Sequence, residues 1–430
     1  MTMNRRDTLR VGLFGSAAAL TAAGFPAAAQ TPQKLSVFAH KVHQTVAVGS
    51  QGGDITKAFT DRTKVAVEWV TFDTGPLWER VLRETSLRET SVDIAFLINT
   101  QITPRAATLF EPLDPWMSKA PVEDPADIFP GLMSGFRLGG SLVAVPYRHA
   151  SSGMHYNEEI LAERGFSGPP KTVEELIEMA KKCTYTRANG TPVVGFVVPG
   201  LTYPNVIDLA RAWDGEFITP DMKFAGNEPA MVRALTVLRE LFVAGAFPRN
   251  FASIQNEDVA TWMQNGRAAL NYASMGRTQI YNDPTKSQFP GKLKTVPIPV
   301  SRELLGKYAV APAKVEFWGM GMPRNARNKE MAWELIRAMA SKESTVMTAI
   351  NGNGPVRASA YEDARVKQKL SYAEEEKKVL LVARAPMPAF DQSQRAADFF
   401  KEEAEAAVLG MKTPQKAMDD LAARVKPLLG

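Results

Sequence analysis

The sequence has few of the side chains that carry covalent or metal chemistry. It contains one cysteine and four histidines in 430 residues, so no disulfide can form within the chain. The Gly-x-Ser-x-Gly elbow, the His-Glu-x-x-His pair, the P-loop and the CxxC pair are all missing. Acidic residues are abundant, and a glycosidase pair stays open because no pair stands out. We predict no catalytic residue and no cofactor.

Long apolar runs are also scarce, and one lies at the N-terminus. It covers residues 11–25, follows positive charges at Arg5, Arg6 and Arg10, and precedes an alanine run that ends at Ala29. This three-part pattern is typical of a signal peptide that is cut after the last of these alanines. The adjacent arginines resemble a twin-arginine export signal, with an ordinary secretory signal as the alternative. No cysteine lies nearby to carry a lipid, so we predict a free periplasmic protein.

The mature chain carries little net charge. Removal of the predicted signal peptide, residues 1–29, leaves 401 residues with a formal charge of +3. A chain of this length exceeds one ordinary core, so two domains are predicted. The small charge gives no electrostatic support for nucleic-acid binding, and we predict a monomer without a nucleic-acid partner.

Short apolar runs alternate with amphipathic patterns near the start of the mature chain. Strands are predicted over residues 34–39, 65–72 and 93–98, and a helix over residues 77–90. This alternation indicates an α/β fold with a parallel sheet, in which ligands bind beyond the carboxyl ends of the strands. The candidate binding residues at these ends are His40, Lys41, His43, Asn99, Thr100 and Gln101. His40 and His43 lack an evident third ligand, so no metal site is predicted.

Three helices further along the chain are marked by their N-termini. Thr172 and Glu175 form a capping box, and apolar positions then recur every three or four residues up to Cys183. Cys183 is therefore interpreted as a small core residue rather than a reactive thiol. The second helix begins at Pro229 and the third follows Asn328.

Six segments occur in an order and at a spacing that match one protein family. They cover residues 110–114, 139–147, 155–161, 165–176, 317–333 and 353–357. Among them are the sequences FEPLD, GGSLVAVPY, HYNEEIL and PPKTVEEL. Together they resemble the family 1 extracellular solute-binding proteins, the group that includes maltose-binding protein.

The resemblance implies a two-lobed type II periplasmic-binding-protein fold. Each lobe would be a mixed sheet flanked by helices, and a hinge of crossing strands would join the lobes. Lobe 1 would comprise residues 31–146 and 318–355, and lobe 2 residues 147–317 and 356–430. The ligand would lie between the lobes, and the ABC permease membrane subunits would recognise the closed form.

The resemblance also implies binding residues in the second lobe and the hinge. Ser274 and Arg277 lie where the family has a tryptophan, which favours a hydroxyl or anion contact over ring stacking at this position. Trp213 and Asp214 replace small residues of a family turn. The further candidates are Tyr147, Arg148, Tyr203, Trp318, Asn353 and Arg357.

Three functions remain open at this point. The first is capture of a sugar or another small polyhydroxylated solute for an ABC importer. The second is capture of a phosphorylated or acidic molecule, such as a glycerol phosphate or a uronate, which several arginines and lysines around one cleft would favour. The third is a periplasmic enzyme, which the missing catalytic motifs disfavour.

Overall fold

The structure of the protein is a computed structural model that describes residues 34–429. The predicted signal peptide and its cleavage site lie outside these residues. Within the described range no helix combines the length and the apolar character that crossing a membrane requires. The strands are β1 (Lys34–His40), β2 (Ala66–Phe72), β3 (Ile94–Ile98), β4 (Arg137–Leu138), β5 (Ser141–Leu142), β6 (Val145–Asn157), β7 (Tyr185–Thr186), β8 (Pro192–Val197), β9 (Ala268–Ser274), β10 (Leu293–Val296) and β11 (Val315–Gly321).

Helices make up most of the remaining ordered chain. They are α1 (Lys41–Ala47), α2 (Lys57–Thr63), α3 (Thr74–Thr85), α4 (Pro104–Ala107), α5 (Asp114–Lys119), α6 (Pro130–Ser134), α7 (Glu158–Glu163), α8 (Val173–Lys182), α9 (Tyr203–Ala210), α10 (Pro229–Val243), α11 (Asn256–Gln264), α12 (Arg277–Tyr281), α13 (Lys329–Met339), α14 (Lys342–Ile350), α15 (Ala364–Lys369), α16 (Ala373–Leu380), α17 (Ser393–Leu409) and α18 (Pro414–Val425).

One mixed sheet of nine strands organises the described residues. Its order is β2-β1-β3-β11-β6-β9-β8-β7, and β10 also pairs with β6. The predicted parallel pairing of the first three strands is confirmed, because β1 lies between β2 and β3 and is parallel to both. All five residues of β3 are buried, as expected for a strand covered on both faces.

The strand β6 joins two halves of this sheet. Its first part pairs with β11 over residues 145–151, and its second part pairs with β9 and β10 over residues 152–157. A third segment lies beside them at Arg384, whose carbonyl oxygen accepts a hydrogen bond of 2.9 Å from Val315 N. The two halves are therefore linked by three adjacent segments.

Residues 356–369 pack on the first half, although the sequence interpretation placed them in the second lobe. Arg357 donates to the carbonyl oxygens of Glu123 and Ala340 in that half. The helix α15 packs on α14, and Arg365 of α15 pairs with Glu343. The helices α17 and α18, in contrast, pack on each other and on α10 in the second half.

The three helices with marked N-termini are present. Thr172 Oγ1 accepts a hydrogen bond of 3.3 Å from Glu175 N and so caps α8. The predicted capping box is only half formed, because the Glu175 carboxylate accepts from Lys171 N at 2.8 Å instead of from Thr172 N. Cys183 follows this helix and is fully buried. The helix α3 is shorter than predicted and ends at Thr85, where Ser86 Oγ donates to Arg83 O. This local bond competes with further helical turns.

Candidate functional site

Two histidines follow the carboxyl end of β1. His40 caps α1, and its Nδ1 accepts a hydrogen bond of 3.2 Å from Val42 N. His43 Nδ1 accepts a hydrogen bond of the same length from His40 N. Because both Nδ1 atoms accept backbone N–H groups, the proton of each neutral ring is assigned to Nε2.

The ring of His43 is enclosed by aromatic side chains. It stacks on Phe96 at 4.3 Å between ring centroids and meets Trp318 edge-on at 4.8 Å. Burial lowers the pKa of His43 well below its usual value, so the ring is neutral at physiological pH. His43 Nε2 is buried and has no hydrogen-bond partner among the described residues. Residues 34–429 contain no cluster of three or more metal-ligating side chains.

The strands β6 and β11 form a floor next to these histidines. Arg148 pairs with Trp318, and Ala150 pairs with Glu316, in an antiparallel register. Since side chains alternate along a strand, these four residues share one face of the sheet. Arg148, Ala150 and Glu316 are partly exposed, whereas the residues between them are buried.

Arg148 pairs with Trp318 across the strands and lies near the carboxylate of Glu316. The Arg148 charge contributes to the lowered pKa of both His40 and His43, and Tyr372, just before α16, acts on the pKa of the guanidinium. Burial lowers the pKa of Arg148, while Glu316 opposes that shift. Within residues 34–429 no carboxylate oxygen lies within 4.0 Å of the guanidinium, and Nε has no hydrogen-bond partner.

The second half of the molecule provides the facing wall. An ideal Cβ on Gly276 would lie 3.7 Å from Tyr372 Oη and 3.8 Å from Ser274 Oγ, so these three residues are adjacent. Arg277 begins α12 and lies 3.7 Å from the exposed carboxylate of Glu257. Tyr203 begins α9 and packs on Phe217 at 5.7 Å, and burial raises the pKa of its hydroxyl.

A cavity of about 710 Å³ opens between the two halves. The first half lines it with Trp78, Thr100 and Gln101, and the facing wall lines it with Tyr203 and Phe390. Arg105 and Asp391 approach each other across it at 3.7 Å. The cavity has the volume and the mixed polar and aromatic lining of a small-molecule site.

Comparison with known proteins adds the decisive observation. The family model described as "Bacterial extracellular solute-binding protein" matches residues 54–374. The chain belongs to this family. It is a binding protein and not an enzyme.

Curated relatives of this solute-binding protein are distant. A probable ABC transporter-binding protein of Deinococcus radiodurans is 24% identical over 245 residues, which cover 55% of this chain and 57% of the relative. The chain thus spans little more than half the length of that protein. A probable amino-acid ABC transporter periplasmic-binding protein of Sinorhizobium fredii is 22% identical. The matched region covers 87% of this chain and 85% of that relative.

Solved structures show the same fold. Maltose-bound MalE3 of T. maritima superposes with a TM-score of 0.75 at 21% identity, covering 92% of this chain and 99% of that chain. A solute-binding protein of Agrobacterium radiobacter in complex with ribitol has a TM-score of 0.73 at 22% identity. The superposition covers 92% of this chain and 100% of that chain. The predicted two-lobed periplasmic-binding-protein fold is therefore confirmed.

The structure of the solute-binding protein brings together many of the predicted binding residues. His40, His43, Arg148 and Trp318 meet on the floor, with the exposed Lys41 beside them, 3.6 Å from Asp73. Thr100, Gln101 and Tyr203 line the cavity. Ser274 and Arg277 lie in the second half of the molecule. Ser274 is near Tyr372, and Arg277 directly follows Gly276.

Three predicted residues lie behind the floor. Tyr147 is buried and its hydroxyl donates to His43 O at 3.4 Å, because it occupies the opposite face of β6 from Arg148. Asn353 is buried and donates from Nδ2 to Tyr147 O at 2.9 Å. Asn99 is buried and accepts from Phe317 N at 2.9 Å, so its side chain fixes β11 against β3.

Three further predicted residues have structural partners away from the floor. Trp213 packs in the core with Arg233 over its ring at 5.6 Å. Asp214 pairs with Arg384 at 2.7 Å and also with Lys307. Arg357 is fully buried, and it donates to the carbonyl oxygens of Glu123, Asp124 and Ala340. The structure does not bring these three side chains into the cleft.

Sequence reasoning missed several residues of the site, among them Trp78, Glu316, Tyr372 and Phe390. Glu316 lies two positions before Trp318 in one strand, so the alternation of side chains would have placed both on one face. Tyr372 and Phe390 lie in irregular segments around α16 and α17. They reach the cleft through tertiary packing, for which the local sequence contains no signal.

Proposed function

We propose that this solute-binding protein is the periplasmic substrate-binding component of an ABC importer. It binds a sugar or another small polyhydroxylated solute between its lobes and delivers it to the membrane permease. The cavity of about 710 Å³ with walls from both halves carries this proposal. A solute in such a cavity contacts both lobes at once, which a site on either lobe alone would not allow.

The lining of the cavity suits a ring-shaped, hydroxyl-rich solute. Trp78, Tyr203 and Phe390 offer aromatic surface on which the C–H face of a sugar can pack. Thr100 and Gln101 offer a hydroxyl and an amide that can hydrogen-bond to ligand hydroxyls. The maltose and ribitol complexes with the same fold support this ligand class. The names of the two relatives support the role in ABC transport, although one of them is named for amino acids.

Capture proceeds by closure about the linked segments. We propose lobe 1 as residues 34–146, 318–355 and 356–369, and lobe 2 as most of the remaining chain. The three adjacent linking segments permit rotation of one lobe against the other. Ligand contacts to both walls stabilise the closed state, and the permease subunits recognise that state. We further propose that the protein is exported through its N-terminal signal and acts as a monomer.

A thermal-shift screen tests this proposal. The panel contains neutral sugars, polyols, sugar acids and sugar phosphates, each in large excess. A ligand at 100 to 1,000 times its Kd stabilises the folded state by roughly 3–4 kcal/mol, which raises the Tm measurably. Small-angle scattering of the same samples is expected to show a smaller radius of gyration with the stabilising ligand.

A pair of glutamine variants locates the binding site. Gln101→Ala removes an amide from the cavity. It is expected to raise the Kd of the best ligand about 10-fold, which is equivalent to the loss of one net hydrogen bond. Gln415→Ala on the exposed side of α18 is the matched control and is expected to leave Kd unchanged. If no compound shifts the Tm and the radius of gyration stays constant, the proposed function is refuted.

A further inference from the structure

Arg148 is a partly buried cation without a direct carboxylate partner in the described chain. The other arginines around the linking segments have one: Arg211 lies 2.9 Å from Glu216, Arg384 lies 2.7 Å from Asp214, and Arg357 lies 3.4 Å from Asp127. A guanidinium withdrawn from water without a counter-charge is unfavourable. An anionic group on the ligand would remove this penalty.

The groups next to Arg148 are hydrogen-bond donors. His43 is fully buried, and its Nε2–H has no partner among residues 34–429. Trp318, which pairs with Arg148 across the strands, has an indole N–H that can only donate. The ring of His40 lies 6.3 Å from that of Trp318 and also has its proton on Nε2. Such a concentration of donors suits a ligand group that only accepts, such as a carboxylate.

Glu316 provides a hydrogen-bond acceptor on the same floor as these donors. It lies on the same face of β11 as Trp318, two residues earlier, which corresponds to about 7 Å along the strand. Its charge acts on both Arg148 and Tyr203, yet no cationic nitrogen lies within 4.0 Å of its carboxylate in residues 34–429. An ionised carboxylate only accepts hydrogen bonds, so its partner on a ligand is a hydroxyl or an ammonium group.

We infer that the solute carries a carboxylate, bound by the Arg148 guanidinium beside Trp318 and His40, and a hydroxyl or ammonium group that donates to Glu316. This inference rests on the proposed function and gives the polyhydroxylated solute a carboxylate, as in a hydroxy acid. An amino acid, which is not polyhydroxylated, would keep the importer role but replace the sugar-like ligand class. A neutral sugar would leave the Arg148 guanidinium with only the more distant charge of Glu316 and no direct ion pair. The planar guanidinium instead matches a carboxylate with two parallel hydrogen bonds.

Binding measurements with matched ligand pairs test the inference. The probes are gluconate against glucitol, glucuronate against glucuronamide, and a series of α-amino acids against their amides. Each pair differs at one group, which is a carboxylate in the acid and a neutral hydroxymethyl or amide group in its partner. We expect at least one acid to bind at least 10-fold more tightly than its neutral partner, and titration calorimetry measures the two Kd values.

Three variants connect the preference to the named side chains. Arg148→Met keeps the apolar stem of the side chain. It is expected to weaken the binding of the best acid at least 10-fold without weakening the binding of its neutral partner. Glu316→Gln is expected to weaken binding of a ligand with an ammonium group more than that of a ligand with hydroxyls only. Arg249→Gln, an exposed arginine that packs on Phe242, is the matched control and is expected to leave both affinities unchanged.

The outcomes separate the two proposals. If neutral sugars or polyols bind as tightly as their acids and Arg148→Met changes neither affinity, the carboxylate inference is wrong while the proposed function stands. If no member of any pair binds, the proposed function fails on this panel and the inference fails with it. The unfolding midpoint of each variant without ligand identifies a loss of binding that comes from misfolding.

Discussion

Glu376 is a buried acid in a hydrogen-bonded network behind the floor of the cleft. Its carboxylate oxygens accept from Ser151 Oγ and Tyr361 Oη, both at 2.8 Å, and Tyr361 Oη also contacts His149 Nε2 at 2.9 Å. Burial raises the pKa of Glu376 to about 7 and lowers that of His149 to about 3. Both groups are therefore neutral in the folded protein near pH 6.

This burial predicts a pH-dependent effect of Glu376→Gln. Between pH 4.5 and pH 7 folded Glu376 keeps a proton that the unfolded chain has lost, so its contribution to the free energy of unfolding falls by roughly 3 kcal/mol as pH rises. The buried histidines act in the opposite direction, but they are common to both proteins. Urea unfolding at pH 5 and pH 7.5 should therefore show the variant gaining roughly 2 kcal/mol relative to the wild type, because part of the change lies below pH 5. An equal difference at both pH values would contradict the assignment.

Arg357 shows why residue type alone does not identify a binding residue. Arg357 lies in a segment that resembles the corresponding segment of the family, and this suggested a ligand contact. Its guanidinium instead donates hydrogen bonds to backbone carbonyl oxygens and to Asp127. Arg148 looks no different in sequence and lacks such partners. The strand-end rule, by contrast, placed His40 and Gln101 near the cleft, because that rule depends on the sheet and not on long-range packing.

The burial of Arg357 predicts a large loss of stability on substitution. Arg357→Met leaves the carbonyl oxygens of Glu123 and Ala340 without this donor and Asp127 without its cationic partner. We expect a loss of about 3–5 kcal/mol. Arg365→Met, at an exposed arginine paired with Glu343, is the control and should cost far less. Chemical denaturation measures both. Similar losses for the two variants would show that the internal hydrogen bonds of Arg357 matter little.

Among the elements, β6 combines the floor of the cleft with the link between the halves. The segment 352–357 lies against it, with a hydrogen bond of 2.9 Å from Asn353 Nδ2 to Tyr147 O. Strand and helix positions were predictable because hydrophobic periodicity and caps are local signals. The insertion of β11 between β3 and β6 was not predictable from such signals, since those strands are far apart in the sequence.

Close packing behind β6 predicts the effect of Gly354→Ala. An ideal Cβ on Gly354 would lie 2.3 Å from His149 O, a backbone atom that cannot move without shifting the strand. We expect a loss of about 1–3 kcal/mol in the free energy of unfolding. Gly168→Ala, where nothing lies within 4 Å of the added carbon, is the control and should be close to neutral. If the two variants unfold at the same urea concentration, the segment is not packed against β6 in this way.

The whole molecule contains a single thiol that can report on its opening. Cys183 is fully buried after α8, and burial raises the pKa of its thiol to about 11. The native protein should therefore react with thiol reagents only when it opens.

Ligand binding is expected to slow this modification. If exposure of Cys183 requires global unfolding, a ligand at 100 times its Kd should reduce the labelling rate about 100-fold. Mass spectrometry over time measures the rate, and an inert analogue is the control. A rate that does not respond to ligand would instead indicate local opening around α8.

The pairing of Ile98 with Trp318 has a consequence for the synthesis of the protein on the ribosome. During synthesis the apolar strand β3 leaves the ribosome 220 residues before the strand that covers its edge. At typical elongation rates this interval lasts roughly 10–45 s. Throughout that time the nascent chain presents an unpaired, fully apolar edge that other chains can join. The order of synthesis thus leaves this edge open to association with other chains until β11 has been made.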